Sequence, residues 1–199
     1  MTQAIFRKCL GILGFSAAAI LAAQAALAEA TAADATALRT RYVELRDALD
    51  SGSIQKGLHV ESVDSTLTPS GDAYAVIDYP FATASSAFSA PAVLCESLIL
   101  HINVQYCRAA DGDAAPVLSV ALGKKKPQKL DDTHRIDLNF NAMKVDDFLR
   151  IELTAKEGPL GTSDYLIVME LVALDDERAF MHIHYAYKQS VLARIATSM

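Results

Sequence analysis

The chain has 199 residues, of which 52% are hydrophobic and 21% charged, with no Trp and a formal net charge of −6. That balance excludes intrinsic disorder, a collagen-like repeat and a polytopic membrane protein. It suits one domain with a sizeable core.

Arg7 and Lys8 are the only charged side chains before Glu29. Leu10–Leu27 is apolar and Ala-rich, interrupted by Ser16 and Gln24, and closes on Ala26-Leu27-Ala28. A charged start, an apolar run and an A-x-A end make a secretory signal peptide, cleaved after Ala28. The alternative is an uncleaved anchor, because the stretch could nearly span a bilayer. Ala is a weak membrane residue, however, and cleavage leaves no stable membrane span. The expectation is export to a bacterial periplasm, with residues 1–28 as signal peptide. Residues 29–57 then form an amphipathic helix and linker, and 58–199 one folded domain. Losing Arg7 and Lys8 takes Lys+Arg from 18 to 16 against 24 Asp+Glu, a charge of about −8. Nucleic acid is excluded as a partner, since binding it takes a basic face that replaces phosphate counterions. The only basic run, Lys124-Lys125-Lys126 between Gly123 and Pro127, reads as a solvated turn. Contact with an anionic lipid or phosphate is the alternative there.

Asp34–Leu49 carries Leu38, Tyr42, Leu45 and Leu49 at helical spacing, and Ser51-Gly52 stops it. The stripe is narrow, so this helix docks onto something larger. Leu58–Leu67 and Ala73–Tyr79 are β-like and joined by the turn residues Pro69-Ser70-Gly71-Asp72, which predicts a hairpin. Phe81–Phe88 is small-residue helix material, and Ser89 would cap a further helix with Pro91 in its first turn.

Cys95–Cys107 fits a strand or a helix by pattern alone. In an oxidising compartment the two cysteines should pair, which needs Cα atoms within about 7 Å. Twelve steps of strand separate them by roughly 40 Å and twelve of helix by roughly 18 Å, so neither closes the bond. A helix to about Ile102, a reversal near Asn103 and a strand running back through Tyr106 does. The alternative is two free buried thiols.

Strands follow. Val104–Ala109 and Val117–Gly123 flank Asp111-Gly112-Asp113. Arg135–Asn141 and Phe148–Lys156 alternate aliphatic with charged residues, Tyr165–Leu174 is apolar on both faces, and Ala179–Tyr187 is the last strand. A final helix is expected from near Gln189, with Val191, Leu192, Ile195 and Met199 on one side. The class is α+β: an antiparallel sheet with one wet and one packed face, closed by helices. Its packed face would carry Tyr106, Phe140, Ile151, Tyr165, Ile167, Met169, Met181, Ile183, Tyr185 and Tyr187. A buried tyrosine hydroxyl without a partner costs about 1–3 kcal/mol. Several together imply a wet cavity or a ligand with polar spots; equally, they fit a core whose hydroxyls reach backbone groups.

Four stretches carry a resemblance: Gly71–Thr83, Cys95–Arg108, Gly158–Tyr165 and His182–Tyr187. With the element order, they resemble the START-like (SRPBCC, helix-grip) superfamily, and more narrowly a group of exported proteobacterial proteins. The resemblance covers most of Gly71–Gln189. It implies a helix grip: a curved antiparallel sheet of about six to seven strands packed on a C-terminal helix, here with an extra N-terminal helix. It also implies a cavity between sheet and last helix, in a superfamily that binds lipids, sterols or polyketides and in a minority catalyses cyclisation or dehydration. About eleven residues remain for that helix, reaching roughly 16 Å. A short plug would leave part of the inner face uncovered for ligand, partner or self-association, with the Leu38–Leu49 stripe covering some of it.

No catalytic or cofactor motif appears in the sequence. His182-Ile183-His184 shares a strand face and could chelate a metal, but alternation puts both on the outer side, where they read as ordinary sheet histidines; no metal or cofactor is expected. His101 with Asp78 and Tyr79 could be imagined as acid–base groups and reads better as capping or surface polar side chains. The expected function is binding or transfer of a hydrophobic small molecule or lipid. A non-catalytic partner-binding module is the alternative, and a cyclase-like enzyme the next.

Overall fold

The computed structural model describes residues 31–52, 56–113, 115–126 and 128–190. The expected signal peptide and final helix therefore lie outside the described residues. Helix α1 occupies residues 31–51. Strands β1 (Leu58–Val63) and β2 (Ser70–Ile77) precede α2 (Phe81–Phe88) and α3 (Pro91–Leu98). Then come β3 (Val104–Ala110), β4 (Val117–Leu122), β5 (His134–Val145), β6 (Phe148–Glu157), β7 (Thr162–Ala173) and β8 (Ala179–Gln189). All eight strands form one curved antiparallel sheet in the order β1-β2-β8-β7-β6-β5-β4-β3. The meander β3–β8 follows chain order, and the β1–β2 hairpin closes on β8. That addition takes the sheet past the six to seven strands expected.

Ser70, Gly71 and Asp72, expected as a turn, are strand because β8 offers them partners, with Ser70 opposite Ala186 and Asp72 opposite His184. The turn instead lies between Val63 and Ser70, where Ser65 and Thr68 pair their hydroxyls. Ser89 ends α2 rather than capping α3, whose N-cap is Ala90 ahead of Pro91. A proline at that place gives up a backbone donor that would have been unsatisfied anyway.

The two sheet faces hold separate cores. Under α2 and α3, the inner face buries Leu118, Val120, Ile136, Leu138, Phe140, Leu149, Ile151, Leu153 and Leu171 with Phe81, Leu94 and the Cys95–Cys107 pair. The disulfide is formed, with Cα atoms 5.3 Å apart, and joins α3 to β3. The chain does turn between the two cysteines, although the helix stops at Leu98, before the turn. On the outer face, Leu38, Leu45 and Leu49 of α1 bury against Tyr74, Phe148, Val172 and Phe180, with Tyr42 packed alongside. The α1 stripe thus covers the face opposite the one expected. Phe148, Val172 and Phe180 alternate out of phase with the inner set, and the α1 stripe buries them on the outer face.

Candidate functional site on the inner face

Each antiparallel turn returns the chain, so the starts of β2, β3, β5 and β7 lie at one end of the sheet with the ends of β4, β6 and β8. Tyr165, near the start of β7, meets Tyr185 and Tyr187, near the end of β8, at this end. Tyr165 stacks on Tyr187 with centroids 5.2 Å apart, and Tyr185 lies 6.2 Å from Tyr165 and 5.5 Å from Tyr187. The turn before β7 sets this geometry. Leu160 and Gly161 both take positive φ, and the backbone slips register between Ser163 and Leu166, where Asp164 also has positive φ. A Cβ on Gly158 would stand 2.2 Å from the Tyr165 ring, so the glycine is what lets the ring lie there.

The hydroxyls differ. Thr162 donates to the Pro159 carbonyl, and the Tyr165 hydroxyl, 2.7 Å away, donates to Thr162 Oγ1. Those of Tyr185 and Tyr187 have no hydrogen-bond partner among the described residues, and Tyr185 remains 38% exposed. Burial, then the neighbouring Tyr165 and Tyr187, pushes the Tyr185 hydroxyl far above the usual phenol range. Burial also raises Tyr165, against the opposing bond to Thr162. The raised values favour the neutral phenol of both at physiological pH.

Next to the tyrosines, Ile167, Met169, Met181 and Tyr187 are half-buried on the inner core. Ile183 is also half-buried and pairs with Met169 across β7 and β8. Phe140 and Ile151 are fully packed in that core, so they support the face rather than line an accessible surface. Tyr106 corrects the sequence reading. A register shift between Val104 and Tyr106 re-phases β3, so Cys107 goes inward and Tyr106 outward, 43% exposed, beside Ser119 and Arg135. His101 and the Asp78–Tyr79 pair lie at opposite ends of the sheet, so they make no acid–base site.

His182 and His184 do lie on the outer face, and the structure adds partners that spacing could not supply. His182 Nε2 and His184 Nδ1 stand 2.8 and 2.9 Å from the same oxygen of Asp72, and His182 Nδ1 stands 3.2 Å from Glu170. Ionised carboxylates only accept, so both bonds form together only when the His182 ring is protonated. Arg150 continues the row by pairing with Glu170 and Glu152. Burial lowers the His182 pKa, but its bonds to Glu170 and Asp72 outweigh that and raise it overall. For Asp72 and Glu170 burial works the other way, and the histidine bonds still hold both below the usual range. Among the described residues no group of three such side chains is arranged to hold a metal ion. On the same face, a depression of about 490 Å³ lies beside the end of α1, lined by Tyr42, Arg46, Asp50, Lys56, Asp78 and Arg178. Charged side chains dominate its lining, with Leu49 and Val76 between them.

No family model matches the chain, and no curated protein matches it. Among solved structures it is similar to a norcoclaurine synthase mutant from Thalictrum flavum, at 13% identity and a TM-score of 0.47, over 71% of this chain and 86% of that one. It is similar to the Zhui aromatase/cyclase from Streptomyces sp. R1128, at 7% identity and a TM-score of 0.45, over 66% of this chain and 70% of that one. A START superfamily protein from Mycobacterium smegmatis matches at 10% identity and a TM-score of 0.42, over 66% of this chain and 88% of that one. The strand order, with a helix pair between β2 and β3 held on the inner face, is that of the helix grip. The fold is START-like. These likenesses concern chain path alone, and no residue role is carried over from them.

Proposed function

We propose that this protein is exported and, in an oxidising compartment such as the periplasm, binds or transfers a hydrophobic small molecule or lipid against its inner face. The observation that carries the reading is the tyrosine cluster. Three contacting rings end an aliphatic wall of Ile167, Met169, Met181 and Ile183, and two of their hydroxyls have no partner among the described residues. A ligand with an apolar body and one or two acceptors would satisfy both features. The apolar run before Ala26-Leu27-Ala28 and the Cys95–Cys107 bond support export.

Native mass spectrometry of protein purified from producing cells, followed by titration with a fluorescent fatty acid, tests the reading. A co-purifying lipid-sized ligand is expected, with binding weakened at least about tenfold by Ile183→Asp. An empty protein that also fails to bind the probe would exclude the role. Export is tested separately by the N-terminal mass of the periplasmic fraction, which should begin at Glu29.

A further inference from the structure

We propose that the turn Ile99–Ile102 and the lysines Lys124–Lys126 form one docking surface for an anionic phospholipid bilayer. Leu100 is 85% exposed, Ile102 61% and Ile99 48%. Apolar residues scattered singly on a surface are ordinary, but three within four positions on one tip are a patch. The tip is also held. Leu100 N donates to Ser97 O, His101 N to Leu98 O and Val104 N to His101 O, at 3.2, 3.0 and 2.9 Å. The Cys95–Cys107 bond ties both sides of the turn together. These side chains therefore do not fold back onto the core; the backbone presents them outward.

The charge beside the tip decides the occupant. Gly123 N donates to Asn103 O at 2.7 Å, and Gln105 Nε2 donates to Lys124 O at 2.9 Å. Those bonds hold the loop of Lys124, Lys125 and Lys126, all exposed, against the apolar turn. Exposed Lys129 and Leu130 follow in the same loop. Glu96, Asp131 and Asp132 are the exposed acids in these segments, fewer than the four lysines. In a chain of net charge −6, this is the local surface that an anionic bilayer attracts. Apolar side chains entering the headgroup boundary by about 5–10 Å, flanked by lysines at the phosphates, form the two-signal arrangement of reversible membrane binding. A protein partner would need a far wider complementary area.

The surface stands independently of the ligand reading, yet geometry relates the two. The starts of β3 and β7 and the ends of β4 and β8 share one end of the sheet, so docking would turn the Tyr165–Tyr185–Tyr187 end toward the bilayer.

The chain has no Trp, so Leu100→Trp puts a single reporter at the tip, insensitive to any membrane contact made by residues 1–28. With phosphatidylglycerol vesicles its emission should shift to the blue and be quenched by brominated acyl chains. The shift should be absent on pure phosphatidylcholine and fade at high salt. Adding Lys124→Glu, Lys125→Glu and Lys126→Glu should raise the lipid concentration for half-maximal shift at least about tenfold. Emission indifferent to vesicles, even while the protein sediments with them, would overturn the proposal. So would an equal shift on phosphatidylcholine, or a concentration-dependent shift without vesicles, which would assign the patch to a second copy of the chain.

Discussion

The inner and outer faces of the sheet are made by the same alternating strands, yet they bury in different ways. Inward residues of β4–β6 are mostly aliphatic, with Phe140 among them, and close under α2 and α3, where Lys144 near the end of β5 lies over the Phe81 ring. The outer face is divided. Its half near the start of β8 lies under α1, where Phe180 sits between Tyr42 and Tyr74. Its other half carries the row His184–Asp72–His182–Glu170–Arg150–Glu152. Tyr74 joins the halves by stacking on Phe180 on one side and on His182, at 4.5 Å, on the other. A strand pattern thus tells which side chains share a face, while what covers that face depends on elements far away in the chain.

The sharpest way to break the comparison is Phe180→Ala. Phe180 is fully buried on the face expected to be wet. If α1 is integral to the fold, the cavity costs about 3–5 kcal/mol in chemical denaturation. A loss within about 0.5 kcal/mol, as for ordinary surface sites, would make α1 a loosely docked appendage.

Next in size is the disulfide, which belongs to the inner face. Its twelve-residue separation gives a closure worth about 3 kcal/mol on the chain-entropy model. Cys95→Ala with Cys107→Ala should lower the melting temperature accordingly and leave far-UV circular dichroism unchanged. Loss of helix and strand signal at room temperature would mean that α3 needs the bond to fold.

The ionic row should give a smaller, pH-shaped effect. The raised folded pKa of His182 makes its stabilisation complete below the unfolded value of 6.5 and lost as pH rises through the folded one. Asp72 and Glu170 are lowered, so theirs is complete above 3.8 and 4.5 and lost as pH falls through the folded values. The row's stabilisation is therefore complete between about pH 4.5 and 6.5 and is lost as pH rises on through the raised His182 pKa. His182→Asn should cost about 1.5 kcal/mol at pH 6 and progressively less at higher pH. A cost that does not vary from pH 6 to 9 would show that His182 acts by packing on Tyr74 alone.

Local chemistry made much of this legible beforehand. Arg135–Asn141 and Phe148–Lys156 alternate cleanly because each strand has a charged and a packed side, and the reach of helix and strand forced a turn between Cys95 and Cys107. Three features were not legible because each depends on register between distant segments. Tyr106 changed faces through one slipped residue in β3. Asp72 became a partner of His182 and His184 because β2 pairs with β8 across more than a hundred residues. The docking site of α1 was hidden by the charged residues that interleave with Val172 and Phe180. The clustered tyrosines Tyr165, Tyr185 and Tyr187 fall between these cases, since their face was predictable and their hydrogen bonding was not.

The smallest effect bears on that last point. Tyr165 and Tyr185 share a face and a pKa raised first by burial, but only the Tyr165 hydroxyl is tied inside the fold, through Thr162 to the Pro159 carbonyl. Removing it in Tyr165→Phe leaves Thr162 without its donor and should cost about 1 kcal/mol. Tyr185→Phe removes a hydroxyl with no partner among the described residues and should change stability by less than about 0.5 kcal/mol. The same variant should weaken binding of a fluorescent fatty acid if that hydroxyl faces the ligand. Equal destabilisation by the two variants, with unaltered probe binding, would make Tyr185 a structural residue and move the site off this end of the sheet.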